Sequence, residues 1–334
     1  MRANEIIKRI RVSAELAAVL EVSGWPKPGN VHRTMDHSDA RYEHFLVGSI
    51  VLGSSIEKAA LKGFMVTKRN IELSKLEVGK LVERAVSDIS EAHLGGNTHL
   101  GVCLLFIPLA TAAAKTYVER DMVSPDFLRD NVKEIMASTT PEDAVNVYEA
   151  ITLVSSPYEL GRISDVQAPD LLDKRAKRKI LANGVSLFAV MKEASSYDSI
   201  ASELVTGMEI SFQIGYKELM ETFNLTRDIN VATVHTFLRI LSKIPDTFIA
   251  RKVGIKQTNN IKKAVELGRK ETAWISKMAE QVLRFGGLTT KKGKAALWDF
   301  DGKLQNLGKD YSPGTTADLT AAALMIALLC GLKF

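Results

Sequence analysis

The sequence predicts an all-α protein, a single large multi-helix bundle, on three observations. Apolar residues recur at three- and four-residue steps over most of the chain, the period of one helix face. Small polar residues stand before a proline where such patterns begin, as in Ser124-Pro125-Asp126, Thr140-Pro141-Glu142-Asp143 and Ser312-Pro313; that pairing marks a capped helix start. Alternating apolar and polar runs between turn residues, which a half-buried strand needs, are scarce.

Taken in order, the first element is amphipathic, with Ile6, Ile7, Ile10, Leu16, Ala17 and Leu20 on one face. The same spacing predicts helices over residues 45–61 and 73–89. Residues 100–114 are uncharged and contain Pro108; they are too short for a bilayer, which takes about 20 residues, and read as a buried helix. Helical spacing returns over 144–154, 171–191, 200–223, 231–241 and 272–285, and the short apolar run 319–332 again reads as a buried helix. No low-complexity linker or solenoid-period repeat divides the chain. Polar and turn residues cluster at 155–170, read as a long loop, so residues 1–334 are expected to form one domain.

Hydrophobic residues make up 46% and charged residues 25%, which excludes a disordered or collagen-like chain. A formal charge of +5, from 44 basic and 39 acidic residues, suits anionic ligands without arguing for nucleic acid. Basic residues at 251–294, including Lys262-Lys263, Arg269-Lys270 and Lys291-Lys292, have few interleaved aromatics; they read as a solvated helix face, so nucleic acid is disfavoured. The two cysteines, Cys103 and Cys330, lie in apolar stretches and suit a reducing cytoplasm. The opening MRANEIIKRIRVSAEL lacks a signal peptide's apolar core. A cytoplasmic protein that engages no membrane is expected, with homo-oligomerisation left open.

Five of the six histidines (His32, His37, His44, His93 and His99) fall in the first hundred residues. Their spacing fits neither HExxH nor, with Cys103, a zinc finger, although a zinc site assembled across loops stays open. The loops around them carry the chemistry. In residues 21–39, Pro26-Lys27-Pro28-Gly29 holds a lysine between rigid prolines. With Asn30, His32 and Arg33 it offers preorganised donors for phosphate oxygens. Glu21, Asp36 and Asp39 are the oxygen ligands that Mg²⁺ takes together with substrate phosphates. The plainer reading is a solvated turn.

A second loop, Leu94-Gly95-Gly96-Asn97-Thr98-His99-Leu100-Gly101, opens the uncharged helix. Its glycines admit close backbone approach and the helix start favours an anion. No GK[ST] follows, so it is no Walker loop; the alternative is a capped helix with a satisfied core histidine. The third, Tyr311-Ser312-Pro313-Gly314-Thr315-Thr316-Ala317-Asp318, sets small hydroxyls beside a glycine at a helix start. Asp318 there either holds a metal or complements the helix dipole. A fourth, Leu160-Gly161-Arg162-Ile163-Ser164-Asp165, carries the least signal.

At these segments the sequence resembles the triphosphoribosyl-dephospho-coenzyme A synthase family, which makes the prosthetic-group precursor of citrate and malonate lyases and decarboxylases. Three family elements appear in order: a helix ending in Glu21 before Pro26-Lys27-Pro28-Gly29 and the turn from His32 to Asp39; Asn97-Thr98-His99-Leu100-Gly101; and Pro313-Gly314-Thr315-Thr316-Ala317-Asp318-Leu319. The chain departs from the family at Asn30-Val31-His32-Arg33 and His37-Ser38-Asp39-Ala40, and has TVHTFLRILSKIPDTFIARKVG around His235 in place of a glycine-rich arginine element. It reads as a divergent, archaeal-like branch with the acceptor left open.

The resemblance implies an all-α fold and glycosyl transfer. The ribose C1′ of ATP leaves adenine for the 2′-hydroxyl of 3′-dephospho-coenzyme A, through an oxocarbenium-like transition state. It implies ATP as substrate, with Mg²⁺. On this reading Lys27, Gly29, Asn30, His32, Arg33, Asn97, Thr98, Gly314 and Thr315 hold the nucleotide. Glu21, Asp36, Asp39 and Asp318 hold the metal, with Asp39 or Asp318 as base and His99 as a proton-transfer group. Two other classes remain: release of the nucleobase to water on the same scaffold, and a non-enzymatic nucleotide- or RNA-binding helical protein.

Overall fold

The computed structural model describes residues 2–69, 71–156, 160–163 and 169–334. Among them the chain is all helical, with no strand, only isolated bridges at His32–Met35 and Arg162–Asn260. The first half builds α1 (Ala3–Ser23), α2 (Tyr42–Val51), α3 (Gly53–Arg69), α4 (Val78–Ala92), α5 (Leu100–Arg120), α6 (Pro125–Ala137) and α7 (Pro141–Val154). The second half builds α8 (Ala176–Asn183), α9 (Leu187–Ala194), α10 (Ser199–Thr206), α11 (Tyr216–Thr226), α12 (Ile229–Lys243), α13 (Thr247–Gly254), α14 (Ile261–Glu271), α15 (Ala273–Arg284), α16 (Lys291–Leu307) and α17 (Gly314–Leu329).

The two helices that are apolar all round, α5 and α17, form the centre. Ala112, Ala113, Ala114 and Ala321, Ala322, Ala323 are fully buried, as expected for helices without a polar face. Among the described residues α5 alone is long and apolar enough to cross a membrane, and it is enclosed by its neighbours instead. The larger apolar cluster gathers α1, α3 to α12 and α17, while a smaller one joins α12, α13, α15 and α16 through Phe237, Ile249, Val282 and Phe300. Glycines set the closest helix contacts. A Cβ on Gly63 would lie 2.1 Å from Thr111 O, and one on Gly254 1.8 Å from Ala264 O, so α3 meets α5, and α13 meets α14, backbone to backbone.

Four expected helices are interrupted: residues 45–61 divide at Leu52 between α2 and α3, and 73–89 open as a 3₁₀ turn, Leu73–Lys75, before Glu77 at φ of +53° starts α4. Residues 171–191 break at Gly184, whose φ of +64° ends α8, and Ser186 caps α9 by accepting from the Ala189 amide at 3.2 Å. Residues 200–223 break after α10 at Gly207 and Met208, both with positive φ, and resume through a π-turn at Ser211–Gly215. The cause is Glu203, which is fully buried and accepts from the amides of Ile210 and Ser211 at 2.7 and 2.9 Å. Its side chain takes over helix hydrogen bonds, and burial pushes its carboxyl up to about 7. Of the proline-marked starts, Thr140 caps α7 through the Asp143 amide, Ser124 makes no side-chain cap, and α17 begins just after Pro313.

Candidate active site

The loops singled out above meet at a cleft of about 640 Å³, a volume typical of small-molecule sites, roughly 300–1,000 Å³. Its walls come from the end of α1, the loop after it, the starts of α5 and α17, α13 and the short segment 160–163.

The floor is acidic. Lys27 is fully buried and its ammonium pairs with the carboxylate of Glu21, which faces the cleft. Burial pushes the Glu21 carboxyl up and the Lys27 ammonium down, each resisted by the other's charge. Beside them, Asp318 accepts from the amide of Val102 in the first turn of α5, and its carboxyl stands well above the usual range. Burial is the first cause, followed by the charges of Glu21, Asp246 and Asp198. A Cβ on Gly101 would lie 2.0 Å from Asp318 Oδ2, so the glycine of Asn97-Thr98-His99-Leu100-Gly101 makes room for a side chain of this protein. One of these loops thus seats the acid of another.

The loop after α1 is tied to α16 rather than left open. Gly29, with φ of +71°, donates its amide to Asp301 Oδ1 at 3.0 Å, and His32 Nε2 meets Asp301 Oδ2 at 3.2 Å. Gln305 donates to the Asn30 carbonyl at 3.0 Å. Trp25 and Asn230 exchange two hydrogen bonds on its other side. This bracing puts Asn30, His37 and Asp39 on the cleft wall and leaves Lys27, Gly29 and His32 behind it. Arg33 and Asp36 lie outside: Arg33 donates to the Ser23 carbonyl at 2.7 Å, and Asp36 caps α2 by accepting from the Tyr42 amide at 2.8 Å. Asp39 pairs with Lys309 at 2.7 Å. Burial would raise the Asp39 carboxyl, but the hydrogen bond and charge of Lys309 outweigh it and hold the group low.

Three of the early histidines form one chain. His44 stacks on His93 with centroids 5.2 Å apart. His93 Nε2 reaches Thr98 Oγ1 at 3.1 Å, Thr98 Oγ1 reaches His99 Nδ1 at 2.8 Å, and His99 Nε2 reaches Ser49 Oγ at 3.2 Å. His99 is buried against Gly48 and its imidazole is held neutral, its pKa driven down to about 3 by burial and by His93. Both of its ring nitrogens are engaged. Gly95 is dictated by His44, whose Nδ1 would sit 1.9 Å from an added Cβ, so this glycine serves the histidine stack.

Asn97, Thr98, Gly314 and Thr315 line the cleft with Glu21 and Asp318. Leu160, Gly161, Arg162 and Ile163 line it too, pinned to the start of α14 by Arg162 and Ile261 backbone bonds of 2.7 and 2.9 Å; Ser164 and Asp165 lie outside the described residues. Of the cations in the cleft, the sequence reading named only Arg162. Arg251 and Lys252, assigned with residues 251–294 to a solvated face, project from α13 into it, and Lys309 faces it from before α17. A signal existed: Asp246-Thr247 is a small polar cap at a helix start, with the proline before it where the starts recognised elsewhere have it after. Nothing in the pattern marked Asp301 and Gln305 as partners of a loop some 270 residues away.

No cluster of three or more His, Cys, Asp or Glu side chains among the described residues is arranged to hold a metal. Asp36 and Asp39 are drawn off to α2 and Lys309, and Glu21 and Asp318 are left facing the cleft.

Comparison with known families adds an independent line. The model of CitG, ATP:dephospho-CoA triphosphoribosyl transferase, matches residues 7–333. Among solved structures, an Archaeoglobus fulgidus protein assigned provisionally as a triphosphoribosyl-dephospho-CoA synthase shares the fold. It matches with a TM-score of 0.55 and 24% identity, over 84% of this chain and 99% of its own. No curated protein matches the chain.

Proposed function

Because the chain belongs to the ATP:dephospho-CoA triphosphoribosyl transferase family, we propose that this cleft moves the triphosphoribosyl group of ATP to the 2′-hydroxyl of 3′-dephospho-coenzyme A, or of an acceptor built like it. The C1′–N9 bond of ATP breaks, a C1′–O bond to the acceptor forms, and the hydroxyl proton ends on the departing adenine. The observation that carries the reading is the acidic floor. Positive charge develops at C1′ in such a transfer, and carboxylates preorganised in a water-poor site stabilise it.

Asp318 is the proton carrier in this proposal. Burial makes this carboxyl a stronger proton acceptor than an ordinary carboxylate, which suits a group that takes the hydroxyl proton and returns one to the leaving base. Glu21, neutralised in part by Lys27, faces the sugar. Asp39 is less suited to act as base, because its pairing with Lys309 holds it ionised and weakly basic. His99 acts by position: neutral and doubly bonded, it fixes Thr98 and the start of α5 against Asp318. The apolar wall of Ile151, Val154, Leu171 and Met191 suits an acceptor's uncharged arm.

Mg²⁺ fits as the ion that accompanies the triphosphate, since one or two carboxylates with phosphate oxygens suffice for it. Glu21 would supply a carboxylate; the ion would neutralise phosphate charge. The test is free adenine measured after incubation with ATP, with and without dephospho-coenzyme A. Adenine released in step with an acceptor adduct supports transfer. Release to water alone assigns hydrolysis, and no release sinks the reading.

A further inference from the structure

Both signs of charge line the cleft. Glu21 and Asp318 form the floor, Glu193 and Asp198 also line the cleft, and the cations Arg251, Lys252 and Lys309 come from α13 and the segment before α17. Phe248 organises the pair on α13: the Arg251 guanidinium carbon lies 5.3 Å and the Lys252 ammonium 4.3 Å from its ring centroid. The ring is seated on the first residue of α17, where a Cβ on Gly314 would lie 3.2 Å from Phe248 Cδ1. Asp246 fixes the base of the assembly, accepting from the amides of Phe248 and Ile249 at 2.9 and 3.0 Å. Lys309 is engaged by Asp39. Arg251 differs, since no side-chain hydrogen bond or ion pair anchors it among the described residues, and its Nε is buried with no acceptor. A guanidinium fixed on an aromatic face beside a cleft, with no anion of its own, is an incomplete site.

We propose that Arg251, held on Phe248, is the residue that recognises the terminal phosphates of the nucleotide. This rests on the transfer reading above and deepens it. The phosphate-binding role moves from Lys27, which Glu21 consumes behind the wall, and from Arg33, which lies outside the cleft, to a residue on α13. The polyanion would then lie against Arg251 and Lys252, and the carbon that becomes cationic beside Asp318. Arg251 and Asp318 keep their relative positions because Asp246, which caps α13, also binds the first turn of α17 through Thr316.

Titration calorimetry of the full-length protein with ATP, ADP, AMP and inorganic tripolyphosphate tests this. Arg251→Gln is expected to weaken ATP and tripolyphosphate about 10- to 100-fold, as loss of a charge-assisted hydrogen bond does, and AMP less than about threefold. Arg251→Lys should recover part of the loss. A well-folded Arg251→Gln protein that ranks ATP, ADP and AMP as the parent does would overturn the proposal and leave the transfer reading standing. Arg251-dependent binding of tripolyphosphate without ATP binding would support the anion site and contradict the transfer reading. A parent protein that binds neither would overturn both. Should Arg251→Gln fold poorly by circular dichroism, Phe248→Leu supplies the second variant, with the same selective loss of ATP over AMP expected and an unchanged ranking again overturning the proposal.

Discussion

Asp246 holds Thr316 by two hydrogen bonds, accepting from its amide and from its hydroxyl at 2.8 Å each. The other oxygen of the same carboxylate caps α13. One buried side chain therefore joins the helix that carries Arg251 to the helix that carries Asp318. Asp246→Ala removes two helix caps and leaves buried amides unpaired, with an expected cost of about 2–4 kcal/mol in urea denaturation. Asp246→Asn, which keeps one acceptor oxygen, should cost less.

Gly101 is the most sensitive small residue of the cleft. In Gly101→Ala the new methyl would sit 2.0 Å from Asp318 Oδ2, so Asp318 must turn aside. Turnover is expected to fall by on the order of 100-fold, as a displacement of about 1 Å at reacting groups does. Stability should change by only about 1–3 kcal/mol, the usual cost of overpacking. Parallel kcat and melting measurements separate the two effects.

Glu21 and Lys27 form a buried ion pair whose halves are unequal when broken. Glu21→Gln leaves the fully buried Lys27 ammonium without its partner, at a cost of about 3–5 kcal/mol. Lys27→Met leaves a carboxyl already inclined to hold a proton and should cost less. The double variant Glu21→Gln/Lys27→Met is expected to be more stable than Glu21→Gln alone, which chemical denaturation of all three proteins would show.

His99 makes stability depend on acid. Its folded pKa of about 3 lies below the ordinary 6.5, so the fold favours the neutral ring. Its contribution is complete above pH 6.5 and is lost as pH falls from there toward 3. At pH 5 the loss from this group is about 2 kcal/mol. Denaturation at pH 7.5 and pH 5 should show a larger fall for the parent than for His99→Gln, which keeps hydrogen bonds to Ser49 and Thr98 without titrating.

Local pattern made the helices and the three signature loops legible. The period of Ile6, Ile7 and Ile10, the capped Thr140 and the apolar α5 and α17 follow from neighbours in sequence. The breaks at Gly184 and Met208 were harder to see, because apolar spacing continues through them and the buried Glu203 that causes one of them looks like any helix acid. In the site, residue type and spacing located Glu21, Asn97 and Asp318 but could not tell a ligand-facing glycine from Gly95 and Gly101, which answer to His44 and Asp318. Lys27 looked like a phosphate ligand for the same reason: only the fold brings Glu21 to it. Arg251 was hidden among the exposed basic residues that follow it.

The most direct test of the account is Asp318→Asn in the assay for adenine and adduct with ATP and dephospho-coenzyme A. The account predicts a fall in kcat of roughly 10²–10⁴, the worth of a proton-transferring group, with ATP still bound as tightly as by the parent or more so. Parent-like turnover in Asp318→Asn would contradict it.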